Sequence, residues 1–115
     1  MAYDLRLANR IREYLLNFPE LQIEEKRMFR GLTFMINGKM CVSVSGVDLM
    51  CRFDPLLQEE VAEKSGFRPM VMKGKEYKGY CYIDPDALKL KKDFEYWVGL
   101  CLDYNKRAKP RRRNK

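Results

Sequence analysis

Residues 25–53 constrain the fold most strongly, because apolar and polar side chains alternate there on both sides of a tight turn. Asn37-Gly38 stands at the centre, and this pair is the strongest short signal for a β-hairpin, since a type I′ turn needs positive φ at both central positions. The alternation predicts strands over residues 32–36 and 40–45. Another turn near Ser45-Gly46 leads to a third predicted strand over residues 47–53.

The same period of two assigns side chains to the faces of this sheet. One face is aliphatic, and the alternation places on it Leu32, Phe34, Ile36, Met40, Val42, Val44, Val47, Leu49, Cys51 and Phe53. The opposite face mixes polar groups with Met35 and Met50. We therefore expect one face of the sheet to be covered by helices.

Helical patterns occur on both sides of this stretch. Residues 3–18 have an apolar stripe with Asp4 as N-cap, Asp54-Pro55 opens a shorter helix, and Asp84-Pro85 opens the last one. Residues 68–73 and 77–83 form a predicted strand pair. The fold class expected is α+β, a two-layer α/β structure with an antiparallel sheet in the order α-β(3)-α-β(2)-α and helices packed on one face.

The net charge of +7 lies entirely in the last ten residues. We expect a domain over residues 1–105, in which basic and acidic residues balance, and a basic, disordered tail over residues 106–115. Such a tail would attract nucleic acid phosphates without sequence preference, although a solubilising role is the alternative. The candidate nucleic-acid-binding residues are Lys106, Arg107, Lys109, Arg111, Arg112, Arg113 and Lys115.

Several functional classes are disfavoured by residues that the sequence lacks. No histidine occurs, which removes Ser-His-Asp and Cys-His catalysis and histidine-ligated metals, and neither glycine-rich nucleotide motif is present. The four cysteines form no CxxC pair and lie within strand or helix patterns, so we expect buried, reduced thiols. We expect no enzyme activity, no cofactor, no metal, no membrane span and a cytoplasmic location.

A partner-binding surface is the remaining source of function. Its candidate residues are a basic edge segment, an arginine in a strand and two methionines of the polar face, namely Lys26, Arg27, Arg30, Arg52, Met35 and Met50. Exposed methionines favour adaptable protein contacts, but filling of core gaps is the alternative for them. Arg52 and Arg68 could instead pair with carboxylates, and a charged edge strand could simply block aggregation.

The chain resembles the N-terminal domain of the TfoX/Sxy family, bacterial proteins best known as regulators of natural competence. The resemblance rests on Lys26-Arg27-Met28-Phe29, on Gly31-Leu32-x-Phe34-Met35-x-Asn37-Gly38, on Asp48-Leu49-Met50-x-Arg52, on Arg68-Pro69-Met70 and on Lys78-Gly79-Tyr80-x-Tyr82-Ile83-Asp84-Pro85. It implies the same α-β(3)-α-β(2)-α layout. The family commonly has two glycines after the phenylalanine, so Arg30 would be strained if the backbone needs positive φ there, unless the bend depends on Gly31 alone.

Two hypotheses for function follow. The first is a non-enzymatic regulatory module that acts by protein–protein contact as a homodimer. The resemblance implies that it is a transcription co-regulator and that its partner is a transcription activator. Known family members carry a second, smaller helical domain, and we expect this chain to be a stand-alone copy of the first. The alternative is a non-specific nucleic-acid-binding protein that acts through its basic tail.

Overall fold

A six-stranded antiparallel sheet organises the chain in the computed structural model, which describes residues 3–28 and 30–107. The strands lie in the order β1-β2-β3-β4-β6-β5, and every neighbouring pair is antiparallel. In chain order they are β1 (Ile23–Met28), β2 (Gly31–Ile36), β3 (Lys39–Ser45), β4 (Asp48–Arg52), β5 (Phe67–Met72) and β6 (Lys75–Ile83). Asn37 and Gly38 both have positive φ, as the predicted turn between β2 and β3 requires.

Three α-helices accompany the sheet in the described residues, and they are α1 (Leu5–Leu15), α2 (Gln58–Val61) and α3 (Lys91–Asn105). Two short 3₁₀ turns, Pro55–Leu57 and Pro85–Leu88, precede α2 and α3. The predicted α+β class is confirmed. The structure has one strand more than the predicted order, because the basic edge segment forms β1 and pairs with β2 along its whole length.

The predicted starts of the second and third helices were wrong by several residues. The Asp54 carboxylate accepts a hydrogen bond from the Leu56 N–H, as a cap should, but the turn that it begins is 3₁₀. The Asp84 side chain makes no cap hydrogen bond and instead accepts one from Arg68. Leu90 is the N-cap residue of α3, has extended backbone angles and is exposed, so it lies outside the apolar stripe predicted for α3.

The main hydrophobic core lies between the sheet and the helices. One face of the sheet, here called the inner face, packs against the buried side chains of α1 and α3. Helix α1 begins at Asp4, whose carboxylate accepts a 2.9 Å hydrogen bond from the Arg6 N–H, as predicted. The C-terminal end of α3 is tied to the β2–β3 hairpin, because the buried Asn105 amide donates to the Ile36 carbonyl and Lys39 donates to the Asn105 carbonyl.

An irregularity between β2 and β3 corrects the predicted faces. Phe34 pairs with Val42, whereas its neighbour Met35 pairs with Met40, so Cys41 is an extra residue on β3. This β-bulge turns Cys41 into the main core and moves Met40 to the opposite face. The strict alternation predicted for β3 therefore fails at these two residues. Val47 was also placed on the aliphatic face, but it precedes β4 and is exposed.

Candidate functional site

A second, smaller cluster of apolar side chains lies on the sheet face away from α1 and α3, here called the outer face. Its buried members are Met40, Met50 and Met70. Met35, Tyr80 and Tyr82 pack against them and are partly buried. We call these six residues the methionine cluster. Met35 and Met50 lie together on this face, and the bulge adds Met40, which the alternation had placed on the other face. Met50 is fully buried, which agrees with the alternative that it fills a gap in the core.

Beside this cluster the outer face has an open hollow of about 480 Å³. Its apolar wall is formed by Met50, Met70, Val71 and Met72. Its polar rim is formed by Arg30, Ser45, Asp48, Arg68, Tyr77 and Tyr82. A concave apolar surface with a few convergent polar groups is the usual form of a binding site. We therefore take the hollow as the candidate functional site.

Arg68 closes one side of the hollow and is fully engaged in ion pairs. Its Nη2 lies 2.6 Å from Asp48 Oδ2, and its Nε donates to Asp84 Oδ1 at 2.8 Å. The hydrogen bond with Asp48 raises the pKa of the Arg68 guanidinium above its ordinary value, and Asp84 adds to the effect. The structural role that was predicted for Arg68, pairing with carboxylates, is confirmed. Its charge is thus neutralised and is not available to a ligand.

Arg30 contributes the charge at the rim that remains uncompensated. Within the described residues its guanidinium has no ion pair or hydrogen bond, and its side chain is exposed. Its φ is 61°, in the left-handed region that disfavours a side chain. Of the two alternatives left by the sequence, the strained Arg30 is therefore the one found.

Gly31 is required for a different reason. A Cβ atom there would lie 1.6 Å from the Val44 carbonyl oxygen of the neighbouring strand. The two family glycine positions thus serve different purposes, since the first needs positive φ and the second needs the absence of a side chain. Only the second has kept its glycine in this chain.

Arg52 lies away from the hollow, near the C-terminal end of α3. Its guanidinium carbon is 5.6 Å from the ring centre of Tyr104 and 6.0 Å from that of Tyr80, and its Nη1 donates a long 3.4 Å hydrogen bond to the Met40 carbonyl. These contacts join β4, β6 and α3. The arginine is half-buried, so the structure gives it a packing role beside the methionine cluster.

Lys26 and Arg27 lie on β1, at the edge of the sheet, and neither lines the hollow. All six residues of β1 are exposed. Glu25, also on β1, accepts two 2.7 Å hydrogen bonds from the Arg12 guanidinium of α1. These bonds hold the pKa of the Glu25 carboxyl below its ordinary value. Of the six candidate partner residues, Arg30 and Met50 line the hollow and Lys26 and Arg27 lie on the edge strand, whereas Met35 and Arg52 lie in neither place.

The predicted nucleic-acid-binding residues are mostly outside the described part of the chain. Lys106 is exposed at the end of α3. Arg107 donates to the Asp54 carboxylate at 3.0 Å, and its guanidinium lies 5.5 Å from the Tyr104 ring centre. The other five residues lie outside the described residues, and they are Lys109, Arg111, Arg112, Arg113 and Lys115.

The four cysteines are buried and free of disulfide bonds, in β3, β4, β6 and α3. Burial raises the pKa of the Cys51 thiol well above its ordinary value, and hydrogen bonds with Cys101 and Cys81 raise it further. Burial likewise raises the pKa of Cys41. Thiolates are therefore disfavoured at both positions. Among residues 3–28 and 30–107, no group of three or more Cys, Asp or Glu side chains is placed to hold a metal ion.

Sequence reasoning missed part of the hollow. Four residues of its rim were not among the candidates, namely Ser45, Asp48, Tyr77 and Tyr82. The only signal for them was their position on the outer face of neighbouring strands. No helix within the described residues is long and apolar enough to cross a membrane.

Comparison with known proteins gives a family and nothing closer. No curated protein and no solved structure matches the chain significantly. The family model of the TfoX N-terminal domain matches residues 16–104, which include the whole sheet and nearly all of α3. The match also includes every residue that lines the hollow. The chain therefore belongs to the family of the TfoX N-terminal domain, a family associated with competence-related regulation.

Proposed function

We propose that this chain is a non-enzymatic, cytoplasmic regulatory module that acts by protein–protein contact, as a homodimer that binds a transcription activator. The observation that carries the proposal is the hollow on the outer face, where exposed apolar residues stand beside the uncompensated charge of Arg30. Family membership supports a regulatory role, since the family is associated with competence. The partner would seat an apolar segment in the hollow and present an acidic group to Arg30.

Three properties of the hollow suit a protein partner. Val71, Met72 and Tyr77 are exposed large apolar side chains on one hairpin, and Met50 and Met70 extend the same surface inward. Methionine side chains are flexible and polarizable, so they adapt to the shape of a partner. An open hollow also suits a peptide segment better than a small molecule that must be enclosed.

The backbone of Arg30 supports the same proposal. A residue held at positive φ costs free energy, and such strain concentrates at functional sites. Glycine would fit that backbone without strain, yet the chain has an arginine whose guanidinium has no partner within the described residues. A carboxylate of the partner would pair with the Arg30 guanidinium, and this binding would explain why the chain keeps an arginine at a strained backbone position.

The proposal that the chain is not an enzyme rests on its side chains. Histidine is absent from the sequence, and the raised pKa values of Cys41 and Cys51 disfavour thiolate nucleophiles. Asp48, the acidic residue of the hollow's rim, is ion-paired with Arg68. Asp48 would have to be freed from Arg68 before it could act as a general base.

The test compares two identical substitutions in matched surroundings. Val71 lines the hollow and is 57% exposed, while Val47 lies outside its lining and is 58% exposed. A partner is first captured from nuclease-treated bacterial extract, then purified and titrated by calorimetry. We expect Val71→Glu to weaken its binding at least about tenfold and Val47→Glu to leave it unchanged. Equal effects of the two variants, or the absence of any protein partner, would overturn the proposal.

The second candidate function, non-specific nucleic-acid binding, is supported by the seven basic residues among residues 106–115. If all seven contacted phosphates, the slope of log affinity against log salt would be about −6. Binding of DNA and RNA over a salt series should then disappear in a chain that ends at Asn105. Retention of the binding by that shortened chain would contradict a role for the tail.

A further inference from the structure

The two edges of the sheet differ in their capacity to pair with another strand. At one edge, β5 contains Pro69, which has no N–H to donate, and its register with β6 shifts between Pro69 and Met70. At the other edge, β1 pairs with β2 over six consecutive residues without any shift in register. The free edge of β1 faces no strand in the described part of the chain, and all residues of β1 are exposed. Pairing with a further strand is therefore open at β1 and hindered at β5.

The register with β2 fixes the faces of the β1 side chains. Residues opposite each other in antiparallel strands share a face, and Leu32, Phe34 and Ile36 belong to the inner face. The β1 residues opposite them therefore lie on the inner face, and they are Ile23, Glu25 and Arg27. The remaining three residues of β1 lie on the outer face, and they are Glu24, Lys26 and Met28. Each side of this short strand carries both an acidic and a basic residue.

We propose that a second copy of this chain pairs with β1 along this edge, antiparallel, about a two-fold axis at Glu25. This inference names the contact of the homodimer proposed above and rests on that part of the proposed function, but it does not depend on the hollow. Antiparallel edges related by a two-fold axis keep the inner and outer faces of both sheets continuous. Only residues of the same face can then oppose each other.

The register centred on Glu25 is complementary in charge. With Glu25 on the axis, Glu24 opposes Lys26 of the second copy, and the symmetry repeats that attraction. Arg27 of the second copy lies diagonally across from Glu25 on the inner side. Ile23 then packs along the aliphatic part of the Arg27 side chain of the second copy. Two opposite-charge pairs thus flank the axis, and main-chain hydrogen bonds join the two strands.

The like charges on the axis are already compensated. Each Glu25 is held by two 2.7 Å hydrogen bonds from Arg12 of its own chain, so the two carboxylates meet as parts of ion pairs. The neighbouring register would oppose Arg27 of the second copy to Glu25, which Arg12 already neutralises, and it would put Lys26 on the axis opposite its own copy. Lys26 has no ion pair within the described residues, so that register would oppose two uncompensated charges. The register centred on Glu25 is therefore preferred.

Charge reversal with rescue tests the proposal. Sedimentation velocity of the full chain over a concentration series should show a monomer–dimer equilibrium. Glu24→Lys and Lys26→Glu should each raise the dimer dissociation constant at least about tenfold, and the double variant should restore it. Both positions are exposed, so circular dichroism should show unchanged folding. A monomer at every concentration, or single variants without effect, would overturn the proposal.

Disulfide trapping tests the register itself. The native thiols are buried, so chains with Glu24→Cys and chains with Lys26→Cys each carry one reactive cysteine. Oxidation of the mixture should give the crossed dimer, and neither chain alone should cross-link. Self-cross-linking of Lys26→Cys would instead overturn the register. Val71→Glu should leave the dimer intact. A missing dimer together with intact partner binding at the hollow would refute this inference and the homodimer, but not the partner site.

Discussion

Replacing Arg30 by glycine should stabilise the fold while it weakens partner binding. Relief of the left-handed conformation at φ 61° is worth about 1–2 kcal/mol. The greater conformational freedom of glycine in the unfolded chain offsets about 0.5–1 kcal/mol of this gain. The free energy of unfolding should therefore rise by about 0.5–1 kcal/mol, since the exposed guanidinium contributes no ion pair within the described residues.

Urea unfolding measures this change. With a slope of about 1–2 kcal/mol per molar urea, the midpoint should rise by about 0.3–1 M. The control is Arg30→Ala, which removes the guanidinium but keeps a side chain at positive φ, so it should give no gain in stability. Both variants should lose affinity for the partner of the hollow. If Arg30→Gly is no more stable than Arg30→Ala, the backbone at this position is not strained and the reasoning fails.

Three further predictions concern the fold. Gly31→Ala should lower the free energy of unfolding by about 3 kcal/mol or more, because its Cβ would lie 1.6 Å from the Val44 carbonyl oxygen; a midpoint within error of wild type would contradict this close contact. Asn105→Ala should cost about 1–3 kcal/mol in thermal or urea unfolding, because it removes a buried hydrogen bond to β2; full stability would show that the amide bond is dispensable. The ion pair with Arg12 lowers the pKa of Glu25, so it should stabilise the fold fully above the ordinary glutamate pKa and lose this effect as pH falls through the lowered pKa. Glu25→Gln should therefore flatten the acid side of the curve of unfolding free energy against pH, and an unchanged curve would refute this role.

Local patterns predicted most of the fold. The alternation around Asn37-Gly38 and the apolar stripes of α1 and α3 each encode one element, and tertiary contacts did not override them. Strand β1 was harder to predict, because the charged residues 24–27 show no alternation of apolar and polar side chains, and the segment is a strand through its ladder with β2. The helix starts were displaced because an Asp-Pro pair begins a 3₁₀ turn as readily as an α-helix.

The candidate site was predicted only in part. Met35 and Met50 lie on the outer face as expected, and Met50 lines the hollow together with Arg30. Met40 was assigned to the wrong face, because one extra residue at the bulge reverses the alternation and no local pattern announces it. Positive φ at Arg30 could be anticipated from the missing family glycine. The hollow combines residues of the β5–β6 hairpin with residues far from it in the sequence, such as Arg30 and Ser45, and strand periodicity does not encode that association.

The rates at which the four buried thiols react can report the local and global opening of the folded protein. A thiol reagent in solution cannot reach side chains whose exposed fraction is 1% or less. Each cysteine belongs to a different element, β3, β4, β6 or α3, so modification of each reports the departure of that element from the rest. Measured against the rate for an unfolded chain, the labelling rate at each position gives the free energy of the opening that exposes it. Equal values at all four would mean that the sheet and α3 separate in one cooperative step, and a lower value at Cys101 would mean that the helix leaves first.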